Sequence, residues 1–382
     1  LKKEVLMNID EFLGAAEALY EAGISLELVS APGIGKSSAV ADAAAALSRR
    51  VPGREFGLWT VILSAADAVD VTGMPVVDRH ADGTLVSRYA VPALFPAVAP
   101  RLRVWRDGEP VDAPVAVPGC GIVFLDEFGQ APDHVRVAAA QFVLSGEAGQ
   151  HVLPPGWRVW LASNRTEDRS GVGNELAMLR NRRSKLDITF DTTVFEGWCA
   201  RTGVHPAVAA FSRLHANLFA TQVPAADEPF CTPRTLALAM RYVEAAGERP
   251  DAMSSVTFEV VAGFIGREAA GSLLNVVALA ATLPDISEVL ADPEGAPLPE
   301  SYGARIMLIG QLTSRAPKKA LDNLMRFVER LPKELQILAM SWLQERWGKA
   351  AFGTGRAGDG GDRVARWLGD NAEFLRDLRD QR

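Results

Sequence analysis

Two glycines and a lysine set the first chemistry this sequence could perform. They lie in Ser30-Ala-Pro32-Gly33-Ile34-Gly35-Lys36-Ser37-Ser38, between an apolar run and an alanine-rich one. The glycines allow backbone N–H groups to wrap a phosphate, and a helix opening here would add a favourable dipole. Lys36 would reach the β- and γ-phosphates of a nucleotide, and the Ser37 hydroxyl would bind Mg²⁺. The pattern's usual first glycine is Ser30 in this chain. A glycine-rich turn before an ordinary helix is the plainer alternative, and the strand–loop–helix context favours the cradle.

A second chemical feature is Ile122-Val-Phe-Leu-Asp126-Glu127, an apolar run that ends in two carboxylates. An unpaired buried charge is costly, so a carboxylate at a strand end has an ionic partner or a task. In a nucleotide hydrolase Asp126 would hold the metal ion's hydration shell. Glu127, on the opposite face, would polarise the attacking water as general base.

These groups need a scaffold that holds them together. Residues 5–22 carry apolar side chains at helical spacing and end at Gly23. Strands are expected at 26–30, 59–63, 121–125 and 157–162, with a helix at 37–48. Strands separated by helical segments imply an α/β layer with a mostly parallel sheet. From about residue 192 the strand signals stop. Helices are expected at 206–219, 233–246, 256–282, 304–312, 317–331 and 333–347. Prolines 284, 293, 297 and 299 mark a linker, and 353–361 reads as a flexible break before a charged helix at 362–380.

Composition narrows the function classes. The 382 residues are 48% hydrophobic and 23% charged, which excludes disordered, collagen-like and coiled-coil chains. Forty basic against forty-seven acidic side chains argue against a broad nucleic-acid-binding surface. Three cysteines without CxxC spacing imply neither a disulfide framework nor a zinc ribbon. The five histidines form no HxxxH or HExxH pair, so nothing points to a histidine-based metal site. The longest apolar stretch, 269–283, is too short to span a bilayer. A soluble, cytoplasmic protein of a reducing compartment is expected.

The loop, the acidic pair and the segments after them resemble an AAA+ ATPase, and more narrowly the MoxR-type branch known from bacteria and phages. Arg158-Val-Trp-Leu-Ala-Ser-Asn164 looks like the sensor-1 strand, whose terminal Asn orients the lytic water or contacts the γ-phosphate. The turn 145–150 and Pro155-Gly-Trp look like the hairpin that precedes that strand. Asp67-Ala-Val-Asp70-Val-Thr-Gly73 resembles the signature where this branch places an insertion, here about 74–118. Leu179-Arg-Asn-Arg182-Arg183 resembles the segment that carries the arginine finger. The expected Phe is Arg183 here, and Arg182 is favoured as the finger with Arg183 left open. Thr232-Pro233-Arg234 looks like the sensor-2 Pro-Arg. The resemblance covers about residues 26–245.

What the resemblance implies is a P-loop NTPase fold in three parts. Residues 1–191 form the AAA+ α/β nucleotide-binding domain, 192–284 a helical lid and 285–382 a helical extension. The implied cofactors are ATP, cradled by 32–38 with Arg234, and Mg²⁺, held by Ser37 and Asp126. Glu127, Asn164 and the Arg182/Arg183 pair carry hydrolysis, and Arg234 couples it to lid movement. A finger acting in trans requires a ring, six subunits by the resemblance, and the partner of this branch is a von Willebrand A-type protein. Two alternatives remain open: a nucleic-acid motor, for which Arg79, His80, Arg88, Arg101, Arg103 and Arg106 around Trp105 offer a basic aromatic segment, and a nucleotide-gated scaffold without turnover.

Overall fold

A computed structural model describes residues 6–50, 53–112, 116–168, 177–220, 223–224, 228–249, 252–280, 282–347 and 361–371. The chain divides into two compact units, residues 1–190 with 221–223, and residues 191–220 with 224–382. The first is mixed α/β and the second is helical.

The first unit begins with α1 (Ile9–Glu21), β1 (Leu26–Ser30), α2 (Lys36–Ser48) and β2 (Glu55–Ile62). It continues through α3 (Ala68–Thr72), β3 (Pro75–Arg79), β4 (Leu85–Tyr89), β5 (Arg103–Arg106), β6 (Glu109–Pro110), β7 (Cys120–Asp126) and α4 (Asp133–Ser145). It closes with β8 (Glu147–Ala148), β9 (His151–Val152), β10 (Gly156–Asn164) and β11 (Ser184–Asp187). Seven strands form one sheet in the order β11-β1-β10-β7-β2-β5-β6. The first five run parallel, and β5 and β6 add on antiparallel at one edge.

Parallel strands covered on both faces must be apolar on both. Leu26, Leu28, Phe56, Leu58, Ile122, Phe124 and Trp160 pack with Phe12 of α1 and with Val40, Ala43 and Ala44 of α2. The alternate residues Val123, Leu125 and Leu161 pack with Val135, Ala139 and Phe142 of α4. On that second face the indole of Trp157 lies over two glycines. A Cβ at Gly57 would meet its ring at 2.4 Å, and one at Gly121 would meet the Gly57 carbonyl at the same distance.

The second unit comprises α5 (Thr192–Thr202), α6 (Pro206–Leu214), α7 (Pro233–Ala246), α8 (Ser255–Ile265), α9 (Arg267–Ala280), α10 (Ile286–Ala291), α11 (Tyr302–Arg315), α12 (Leu321–Val328), α13 (Lys333–Trp347) and α14 (Gly361–Asp370). Helix α11 packs on α6, α9 and α13, and α13 packs on α5, so residues on both sides of 284 share contacts. No helix among the described residues is long and apolar enough to cross a membrane.

Several elements differ from the sequence reading. The first helix starts at Ile9, because the Asn8 side chain caps it and Met7 bridges to Ile188. The expected helix 256–282 is two helices broken at Gly266, whose φ of 82° fits glycine. The expected helix 317–331 begins as a 3₁₀ turn, and the linker around Pro284 holds α10. Strand β11 and helices α4 and α5 were not expected. Within 74–118 the hairpin is β3–β4, whereas β5 and β6 belong to the main sheet. The proposed flexible break, apart from Gly361, and the final helix beyond 371 lie outside the described residues.

Candidate functional site

In open parallel sheets ligands bind beyond the carboxyl ends of the strands, where the connections reverse direction. The reversal here lies between β1 and β10. From β1 the chain crosses towards β2, and from β10 it returns to β11 on the far side of β1. The register aligns Ser30 with Asn164, Leu161 with Leu125 and Asp126 with Ile62, so the ends of four strands converge.

The glycine loop leaves β1 at this point. Gly33 (φ 80°) and Gly35 (φ 106°) take left-handed backbone that a side chain would strain. Gly35 is also the N-cap of α2, and no side chain caps that helix. Its first backbone N–H groups have no acceptor within the helix, an arrangement suited to an anion. Pro32 and Ile34 lie in the loop, with Ile34 buried, and Ser38 is exposed in the first turn of α2.

Lys36 Nζ donates to Asn164 Oδ1 at 2.9 Å and to Ser30 Oγ at 2.8 Å. The serine at the usual glycine position is therefore used: it is fully buried and holds the lysine head. Ser37 Oγ donates to Asp126 Oδ2 at 2.6 Å. Asp126 Oδ1 in turn accepts from the Glu127 N–H at 2.9 Å. Glu127 is one of two non-glycine residues with positive φ (57°) among the described residues. This left-handed turn throws its carboxylate out of the strand line, where it is exposed and accepts a hydrogen bond from Ser64.

Ser64 lies in the 3₁₀ turn 63–65 directly after β2, a partner that the sequence reading missed. Gln130 was missed too; its Oε1 accepts from Asn164 N at 3.4 Å. No local pattern marks either residue, since each is identified only by which strand ends meet.

The arginines separate. Arg180 and Arg182 are exposed in the turn before β11, and Arg182 has no side-chain hydrogen bond or ion pair with the described residues. Arg183 faces inward, with Nε at 2.6 Å and Nη2 at 2.5 Å from Glu27 Oε2. Both side chains of that pair are more than nine-tenths buried. Such a guanidinium cannot reach another molecule without leaving a buried carboxylate unpaired, whereas Arg180 and Arg182 face outward. Glu27 did leave a signal: it is a charge in the middle of an apolar strand. Arg234 is exposed in the first turn of α7, in the second unit, after the Thr232 cap and Pro233.

The basic aromatic segment is partly neutralised. Arg106 pairs with Glu55 at 2.6 Å, Arg88 with Asp78 at 3.6 Å, and Arg103 lies over the Trp105 ring at 5.5 Å.

Among the described residues no cluster of three or more His, Cys, Asp or Glu side chains could hold an ion. Mg²⁺ needs no such cage: it takes one or two protein oxygens and fills its shell with water and phosphate. The hydroxyl of Ser37 and the carboxylate of Asp126 meet that demand. As a whole, the arrangement can grip a polyphosphate, hold a divalent ion beside it and present a carboxylate to water.

No protein-family model matches the sequence, and neither does any curated protein. Solved structures similar to the chain include a candidate ATPase from Cytophaga hutchinsonii, at 12% identity and a TM-score of 0.34, covering 95% of this chain and 90% of that one. A RuvB mutant from Thermotoga maritima gives 13% identity and a TM-score of 0.36, covering 76% and 81%. NtrX from Brucella abortus in complex with ADP gives 15% and 0.32, covering 97% and 67%. At those scores the likeness adds no weight to the geometry above.

Proposed function

We propose that this chain is a Mg²⁺-dependent ATP hydrolase of AAA+ type, and more narrowly of the MoxR-type branch that its motifs resemble. The observation that carries the reading is the convergence of Lys36, Ser37, Asp126 and Asn164 through two hydrogen bonds at the sheet's reversal point. Lys36 and Asn164, 128 positions apart in the chain, meet there.

Within this reading each side chain has a task. The Gly33–Ser38 backbone and Lys36 bind the β- and γ-phosphates. Ser37 and Asp126 would hold Mg²⁺, which would neutralise phosphate charge. Asn164 orients water in line with the γ-phosphorus. Glu127 leaves Ser64 and takes the proton as the water oxygen bonds to phosphorus and the bond to the β-phosphate oxygen breaks. ADP and phosphate are the products. The chain's part is positioning and charge stabilisation.

The exposed, unengaged Arg182 supports an assembly in which it completes a neighbour's site. A ring, six subunits by the resemblance, would then remodel or activate a protein target together with a von Willebrand A-type partner.

Nucleotide binding tests the reading. Lys36→Ala should weaken binding of Mg²⁺ and a fluorescent ATP analogue by about 10- to 100-fold, the loss expected for a charged hydrogen bond. Glu127→Gln should bind as the wild type does. Equal affinity in wild type and Lys36→Ala would refute the phosphate cradle.

A further inference from the structure

We infer that Glu27 and Arg183 are positioning residues, which tie the Arg182 segment to the turn that carries Glu127. The inference rests on the hydrolase reading above. Strand β1 is buried throughout and flanked on both sides by parallel strands, and Glu27 is a carboxylate at its second position. Leu26 and Leu28 pack towards α1 and α2, so Glu27 projects to the opposite face.

There it joins three segments. Arg183 Nε and Nη2 bind its Oε2, and the Ser163 hydroxyl donates to its Oε1. Ser163 Oγ also accepts the N–H of Gly129 at 2.9 Å. Gly129 belongs to the 3₁₀ turn Phe128–Gln130, directly after Glu127, and Ser163 directly precedes Asn164. A continuous relay thus runs from the residue beside Arg182, through β1 and β10, to the residues beside Glu127 and Asn164.

Two observations separate positioning from simple stabilisation. Apolar side chains of similar volume would serve the interior as well as a buried ion pair does, so stability alone does not call for these charges. A cavity of about 300 Å³ also borders the relay, lined in part by Glu27, Arg183, Ser163, Asn164 and Gly129. Close packing therefore does not fix these groups from every side. The directional bonds do, and a shift of the Arg182 segment is carried to Glu127 and Asn164.

The test uses the full chain. Single removal of either charge strands its partner and can unfold the protein, so the deciding variant is the double Glu27→Met/Arg183→Met. Ser163→Ala cuts the relay without stranding a charge, and Ser163→Thr keeps the hydroxyl that binds Glu27 and the Gly129 N–H. Expected are kcat losses of about 10- to 100-fold in the double variant and in Ser163→Ala, the scale of a misplacement near 1 Å. Mg²⁺ATP affinity should stay within about twofold, since neither binding group of the cradle is touched, and Ser163→Thr should retain most of the wild-type kcat. Amide exchange at residues 127–130 should accelerate in both damaged variants. Unchanged kcat in a folded double variant would overturn the inference, as would affinity falling in step with kcat. If the wild type shows no turnover, the hydrolase reading fails by itself. Exchange at 127–130 then decides the coupling, and unchanged protection there overturns it.

Discussion

Glu127 holds a conformation that glycine would hold more easily. Its φ of 57° and ψ of 32° place a β-carbon where L-residues are strained. Strain of that kind at the end of a strand persists because its neighbours over-determine it, here the Asp126 carboxylate on its N–H and Ser64 on its side chain. Glu127→Gly should therefore leave stability unchanged or raise it by up to about 1 kcal/mol while abolishing turnover. Thermal unfolding beside a phosphate-release assay checks both halves. A clear loss of stability would mean that the carboxylate is structural. At this scale the sequence was informative wherever a residue type is demanded by its backbone or its charge. Gly33 and Gly35 take the left-handed backbone that the loop demands, and Lys36, Ser37, Asp126 and Asn164 meet at the strand ends. Ser64, Gln130 and Ser163 were illegible, because a serine or glutamine gains its role only from the strand end it meets. Glu27 was legible as an anomaly and not as half of a pair, since Arg183 lies 156 residues away.

Elements are set by pattern, and their legibility follows from it. The apolar run of β1 matches its expected bounds, and so do α7 and α13. Strand β11 (Ser-Lys-Leu-Asp) has no apolar run of its own and is a strand only because β1 lies beside it. Helix α4 carries Val135, Ala139, Phe142 and Val143 at helical spacing, which could have been read. Two helices of the second unit also hold groups whose titration can be read as stability. Burial lifts the Glu196 carboxyl of α5 from 4.5 to about 7, against the opposing pull of Arg213. The folded chain then keeps a proton that the unfolded chain has lost, so stability falls as pH rises between about 4.5 and 7. His205 acts in the reverse sense. Burial and Arg315 depress it from 6.5 to about 4, and its neutral Nδ1 accepts the Ala207 N–H at 3.1 Å to cap α6. Stability is lost there as pH falls from about 6.5 towards 4. Glu196→Gln should remove the first slope and stabilise the chain at about pH 8 by something on the order of 3 kcal/mol. His205→Asn, which can still cap, should remove the second. Urea midpoints across this pH range check both, and unchanged slopes in the variants would place the titration elsewhere.

The molecule combines a parallel-sheet unit, in which Lys36, Ser37, Asp126, Glu127 and Asn164 meet, with a helical unit. Arg180 and Arg182 are exposed, and their neighbour Arg183 is locked inside. That division suits a molecule that turns part of the cluster outward and holds the segment behind it fixed. If Arg182 completes the site of a second copy, activity per chain rises as copies meet. The direct measurement is phosphate release from Mg²⁺ATP over a range of protein concentrations, wild type beside Glu127→Gln. The account predicts turnover whose specific rate climbs with concentration, and a variant slower by about 10²- to 10⁴-fold that still binds nucleotide. Equal phosphate release by the two proteins, or none from either while both bind ATP, would contradict it.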